Sequence, residues 1–161
     1  MNNAHTNNAH TEPPVICDAQ LAIVIDDDAN IRDFVGATLR EIGMKAAGYM
    51  TAKQALASID TSHPAIIFLD VALLSSDAID VIRGLSERRY AGVVQLMSGG
   101  RPSLLEAIGR IGVRHRMRLA PPLNKPFGRE AIVQVIASLR SPDAFPVPDG
   151  KAIAAAIAIS H

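Results

Sequence analysis

Tryptophan is absent from this 161-residue chain, aromatic residues make up only 4% of it, and there is a single cysteine, Cys17. Its core must therefore be built from aliphatic side chains, with Ile, Leu, Val and Ala as the expected fillers. A lone thiol cannot close an internal disulfide, which fits a reducing compartment such as the cytosol. Nothing in the sequence around Cys17 suggests an activated thiol, so thiol chemistry is not expected there. No run reaches the ~18 consecutive apolar residues that a membrane span requires. The N-terminus is polar and lacks the basic and apolar regions of a signal peptide, so a cytoplasmic protein without membrane contact is expected. Net charge is missing too, because 16 basic residues balance 16 acidic ones and no global field draws the chain to nucleic acid or to an anionic surface. There is no helix-turn-helix pattern and no interleaving of aromatic with basic residues, which argues against direct nucleic-acid binding. His and Cys never cluster at zinc spacing, and a phosphate-cradling GxxxxGKS/T loop is absent.

What is present is one domain's length of regular alternation. The first residues repeat "NNAHT" in tandem, over 2–6 and 7–11, and have too little apolar content to pack. They read as a disordered leader over 1–18 rather than as a metal site built on His5 and His10. From Leu21, short apolar runs alternate with longer segments of helical period. Strands are expected at 21–25 ("LAIVI"), 44–49 ("MKAAGY"), 65–69 ("AIIFL"), 92–97 ("GVVQLM") and 117–120. Helices are expected at 30–42, with Ile31, Phe34, Val35, Leu39 and Ile42 on one stripe before Gly43, and at 51–59 with Thr51 as N-cap. Three more are expected at 77–89, at 103–111 after Pro102, and at 129–139. Five strands in strict alternation with five helices imply a doubly wound α/β fold, because parallel neighbours need crossover helices that cover both faces. Beyond it, "SPDAFPVPDG" reads as a Pro-rich linker and "KAIAAAIAIS" as a short Ala-rich helical tail with Ile153 and Ile157 four apart. The expected organisation is a leader over 1–18, a domain over 19–140, and linker plus tail over 141–161.

In an open parallel sheet, ligand-binding residues gather outside the carboxyl ends of the strands. Here the first strand delivers Asp26, Asp27 and Asp28, the third delivers Asp70, the fourth Ser98 with Gly99 and Gly100, and the last is followed by Lys125 and Pro126. Carboxylates so crowded repel one another unless a cation offsets them. An all-oxygen donor set suits Mg²⁺ better than Zn²⁺. A carboxylate held beside Mg²⁺ can attack a phosphoryl group, and Asp70, standing alone after its strand, is the natural nucleophile. Asp26 and Asp27 arrive as a metal-binding pair, Asp28 is suited to cap the following helix, and Lys125 and the Ser98 hydroxyl can meet phosphoryl oxygens. Gly99 and Gly100 suit a tight loop.

These residues resemble the receiver domain of two-component response regulators over about residues 21–139. "DDD", "FLD", "MSG" and "NKPF" occur in that family's order and approximate spacing. The resemblance implies a five-stranded flavodoxin-like (CheY-like) sheet in the order 2-1-3-4-5. It also implies Asp70 as phosphoacceptor, with Asp27 as a direct Mg²⁺ ligand and Asp26 near the ion through water. Ala72 would lend its backbone carbonyl, Ser98 and Lys125 would contact the phosphoryl group, and a cis bond is expected between Lys125 and Pro126. The implied donor is a phosphohistidine on a sensor histidine kinase or histidine phosphotransfer protein. No enzymatic activity is implied beyond the domain's own phosphorylation and dephosphorylation. A basic series of Arg110, Arg114, His115, Arg116 and Arg118 lies where receivers contact output partners or form homodimers.

Three departures from the family pattern stand out. Leu74 and Asp77-Ala78 replace the loop proline and the "DG" pair, and Pro122 occupies the place of the aromatic switch residue. Output must then use another element. A pseudo-receiver acting as a binding scaffold is the alternative these changes favour. The stretches "LMSGG", "LLEAIGRIG" and "LNKPF" also resemble receivers that precede EAL-type cyclic-di-GMP phosphodiesterase domains, which makes a truncated receiver of that kind a further alternative. An aspartyl-phosphate phosphatase would want a second acid two residues past the nucleophile, where Ala72 stands.

Overall fold

In the computed structural model, residues 20–73, 77–141 and 143–145 are described. The expected leader with Cys17, the loop position Leu74 and the Ala-rich tail lie outside them. Ten elements alternate: β1 Leu21–Ile25, α1 Ala29–Glu41, β2 Lys45–Tyr49, α2 Ala52–Ser62, β3 Ile66–Asp70, α3 Asp77–Glu87, β4 Val93–Ser98, α4 Pro102–Arg114, β5 Arg118–Asn124 and α5 Arg129–Leu139. The five strands form one sheet in the order β2-β1-β3-β4-β5, every neighbouring pair parallel, as the alternation required.

The central strands are buried on both faces, which is why β3 reads as an unbroken apolar run ending in its aspartate. Alternate residues serve opposite sides. Ile23, Ile25, Ile67 and Leu69 join α2, α3 and α4 in one cluster, while Ala22, Val24, Ile66 and Phe68 join α1 and α5 in the other. Burial of each Ile, Leu or Phe side chain stabilises the fold by roughly 1.5–3 kcal/mol. As the composition demanded, only two aromatics, Phe68 and Phe145, belong to the described core. The helix starts follow local chemistry: Asp28 accepts from the Asn30 N–H at 2.8 Å, and Thr51 accepts from the Gln54 N–H at 3.3 Å. Gly43, at φ 87°, ends α1. No helix among the described residues is long and apolar enough to cross a membrane.

Several boundaries differ from the expectation. β5 runs on through Pro121 and Pro122 to Asn124 instead of stopping at Ala120. Prolines are tolerated because β5 is an edge strand and the register slips beside them, from Gln95 opposite Ala120 to Met97 opposite Leu123. The buried Gln95 side chain spans the irregularity, its Nε2 donating to the Pro121 carbonyl at 2.8 Å and to the Leu96 carbonyl at 3.1 Å. Phe34, expected inward on the α1 stripe, is 39% exposed and leans instead on Phe127, ring centroids 6.4 Å apart. The packed domain also continues past the expected boundary at 140. Phe145 is 6% exposed within the α1–α5 cluster, and its carbonyl accepts from Arg118 Nε at 2.8 Å.

Candidate functional site

The carboxyl ends of β1, β3, β4 and β5 meet at one rim. Asp26 follows β1 directly and keeps its backbone in the sheet, its N–H donating to the Tyr49 carbonyl at 3.2 Å. Its side chain is 0% exposed; Oδ1 accepts the Asp28 N–H at 2.9 Å and Oδ2 accepts Lys125 Nζ at 2.7 Å. Asp27, the next residue, is exposed. Asp70 closes β3 at 2% exposure, and its Oδ1 accepts the Ala72 N–H at 3.0 Å and lies 3.3 Å from Lys125 Nζ. One carboxylate oxygen from each of Asp26, Asp27 and Asp70 falls within 4.8 Å of the other two.

Lys125 reaches this cluster because its own N–H donates to the Ser98 carbonyl at 2.7 Å, ahead of the cis Lys125–Pro126 bond that the motif led one to expect. Ser98 ends β4, buried, and its Oγ accepts the Gly100 N–H at 3.4 Å. Gly100 adopts φ 102°, which requires glycine in that loop. The expected site residues thus converge from four strand ends. Asp28 stands apart as the helix cap, and Ala72 approaches Asp70 through its N–H.

The electrostatics are those of a site with surplus negative charge. Burial raises the Asp26 carboxyl above its ordinary range and the field of Asp70 adds to this, against the opposing hydrogen bonds from Lys125 and Asp28. Burial alone would lower Lys125, yet its hydrogen bond to Asp26 and the charges of Asp26 and Asp70 outweigh it, and its pKa rises. Proton affinity is therefore elevated on both sides of the pair. Three clustered carboxylates, two of them buried and paired with one ammonium and the third open to solvent, offer hard oxygen donors and an excess of charge that a divalent cation would offset. The residues fit Mg²⁺.

Two residues of the rim escaped the sequence reading. Arg32 NH1 donates to the Asp26 carbonyl at 2.7 Å, one helical turn into α1, and the available signal was its place just after the acidic run. Met50, directly after β2, is an apolar residue 53% exposed at the same rim. Pro122, in place of the aromatic switch, lies half-buried on β5.

A doubly wound sheet whose strand ends gather an acidic cluster, a hydroxyl and a lysine defines a receiver, the signalling module of two-component systems. The chain matches the response regulator receiver domain family over residues 22–137, and it belongs to that family. Similar solved structures include the receiver domain of NtrX from Brucella abortus, 24% identical, with 76% of this chain and 99% of that one covered at a TM-score of 0.65. A longer NtrX structure from the same organism is 25% identical at a TM-score of 0.66, covering 75% of this chain and 27% of that one. The chemotaxis response regulator CheY4 of Vibrio cholerae, 17% identical, shares the fold with 75% and 98% covered and a TM-score of 0.60. No curated protein matches the chain. Receiver domains work with histidine kinases or phosphotransfer proteins and are signalling modules rather than typical enzymes.

Proposed function

We propose that this domain is a phosphorylation-controlled cytoplasmic receiver that takes a phosphoryl group onto Asp70 from a phosphohistidine of a sensor histidine kinase or histidine phosphotransfer protein. The observation that carries this reading is the joint approach of Lys125 Nζ to Asp26 and Asp70, at 2.7 and 3.3 Å, beside an exposed third carboxylate. Asp26, Asp27, Asp70 and the Ala72 carbonyl would hold Mg²⁺, Asp26 through water. When bound, the ion supplies positive charge against the phosphoryl oxygens.

Asp70 Oδ1 is engaged by Ala72 and Lys125, which leaves Oδ2 as the attacking oxygen. It forms the new O–P bond as the P–N bond of the phosphohistidine breaks, and the departing imidazole nitrogen keeps the electron pair. Lys125 then turns from the carboxylates to a phosphoryl oxygen, and the Ser98 hydroxyl donates to another. Both movements pull on β4 and β5, so the signal emerges at the α4–β5 surface with its basic residues, where an output partner or a second copy would dock. With Pro122 in place of a rotating ring, that coupling runs through the backbone of β5 itself. Incubation with acetyl phosphate and Mg²⁺ is expected to add one phosphoryl mass to the wild type and none to Asp70→Ala. Equal labelling of the two proteins would refute the assignment, and no labelling of the wild type would favour the scaffold reading, which Pro122 supports.

A further inference from the structure

A row of basic residues occupies the end of the sheet opposite the acidic rim, in the turns that lead into β3, β4 and β5. α2, α3 and α4 pack side by side on one face, and the turns that end them carry basic residues in the left-handed conformation: His63 at φ 46°, Arg89 at φ 51° and Arg116 at φ 55°. Side chains rarely adopt this backbone geometry, and glycine is the usual occupant. The chain contains its own comparison. α1, α3 and α4 close with the same long-range turn, in which the N–H groups of Met44, Tyr90 and Met117 donate to the carbonyls of Leu39, Leu85 and Gly112 at 3.0, 3.0 and 2.9 Å. On the other face of the sheet α1 places Gly43 at the left-handed position, whereas α3 and α4 place arginine there. Complementing the helix dipole does not explain the difference, since a basic residue anywhere in the last turn serves that purpose without a left-handed backbone. The three basic side chains are exposed and make no hydrogen bond or ion pair among the described residues.

Between His63 and Arg89 opens a cleft of 660 Å³. Its apolar lining, on which a side chain could rest as on a floor, comes from Ile59, Pro64, Ala65 and Ala91. The walls are braced: Arg88 donates to both Asp60 oxygens, at 2.7 and 3.3 Å, joining α3 to α2, and the Tyr90 hydroxyl donates to the Pro64 carbonyl at 3.0 Å. Because Asp60 is engaged by Arg88, the basic groups left unpaired in the lining are the Arg89 guanidinium and the His63 imidazole.

We propose that this cleft docks an acidic peptide segment of a partner protein, an apolar side chain resting on the floor and a neighbouring carboxylate meeting Arg89 and His63. A nucleic-acid backbone would satisfy the guanidinium but leave the apolar floor unfilled. Membrane insertion needs large apolar side chains projecting at this end of the sheet, and the exposed ones among the described residues, Phe34 and Met50, lie on α1 and at the far end of β2. The cleft precedes β3 and Asp70 ends it, so the two sites sit at opposite ends of one strand.

The test titrates the isotope-labelled full chain with a short synthetic peptide alternating Glu and Leu, followed by amide NMR shifts. Shifts are expected at His63, Ala65, Arg89 and Ala91 and not at Asp26 or Asp70. Arg89→Gly relieves the left-handed backbone, so it is expected to melt above the wild type while binding the peptide about tenfold more weakly. His63→Gly is expected to behave in the same direction. A peptide with Lys in place of Glu is expected to leave the cleft unshifted. The proposal is overturned by equal shifts with the Lys peptide, by no shift at the cleft, by wild-type affinity in Arg89→Gly, or by a DNA duplex or anionic vesicles shifting these amides more than the peptide does.

Discussion

Removing the carboxylate from Asp26 is expected to stabilise the metal-free protein, although it forms the shortest ion pair of the site. The attraction to Lys125 at 2.7 Å is worth roughly 6 kcal/mol at an effective dielectric near ~20. Repulsion from Asp70, with an oxygen within 4.8 Å, cancels at least roughly 3.5 kcal/mol of it. Against the remainder stands the desolvation of a fully buried carboxylate, which costs several kcal/mol. Asp26→Asn removes that cost while its carbonyl oxygen can still accept from Lys125 and Asp28. The net gain is about 1 kcal/mol, a rise of roughly 3–6 °C in Tm for a domain of this size. Because the native carboxyl has a raised pKa, the folded state binds more protons than the unfolded chain between the ordinary value of 3.8 and the raised one. In EDTA the Asp26 contribution to wild-type stability should therefore increase as pH falls through that window, and Asp26→Asn should lose it. Thermal melts in EDTA at neutral pH, repeated with Mg²⁺, provide the assay. Mg²⁺ should raise the wild-type Tm and move the variant less. A lower Tm for Asp26→Asn in EDTA would refute the reasoning.

Three further outcomes are expected. Lys125→Met leaves two desolvated carboxylates without their ammonium, and urea unfolding in EDTA should show a loss of about 3 kcal/mol, partly recovered with Mg²⁺. Phe145→Ala opens a gap in the α1–α5 cluster and should cost about 3 kcal/mol by the same measurement, whereas a solvated linker residue would cost nothing. Thr51→Ala removes the side-chain oxygen that caps α2 and should cost about 1 kcal/mol.

The parts of the fold legible from sequence are those decided locally. "IIFL" before Asp70 reads as a strand because burial on both faces demands an unbroken apolar run, and Asp28 and Thr51 read as caps because a short oxygen-bearing side chain can reach the helix N–H groups. The convergence of Asp26, Asp70, Ser98 and Lys125 was legible because parallel topology sends every strand's carboxyl end to one rim. What escaped depends on tertiary context. Pro121 and Pro122 argue against a strand until a slipped register and the Gln95 amide accommodate them at the sheet edge. Phe145 stands among prolines and reads as linker, yet the space beside α5 and the Arg118 guanidinium draw it into the core. Arg32 resembles any solvated helix cation until the chain folds back to offer it the Asp26 carbonyl.

The central claim is that Asp70 carries the phosphoryl group, and trapping the acyl phosphate tests it most directly. Protein treated with acetyl phosphate and Mg²⁺ is reduced with borohydride, which converts an aspartyl-phosphate to homoserine, and is then digested and sequenced by mass spectrometry. Homoserine at position 70, dependent on Mg²⁺ and lost in EDTA, is the expected result. Homoserine at position 26 or 27 instead, or none at position 70 in protein whose mass shows phosphorylation, would contradict the account.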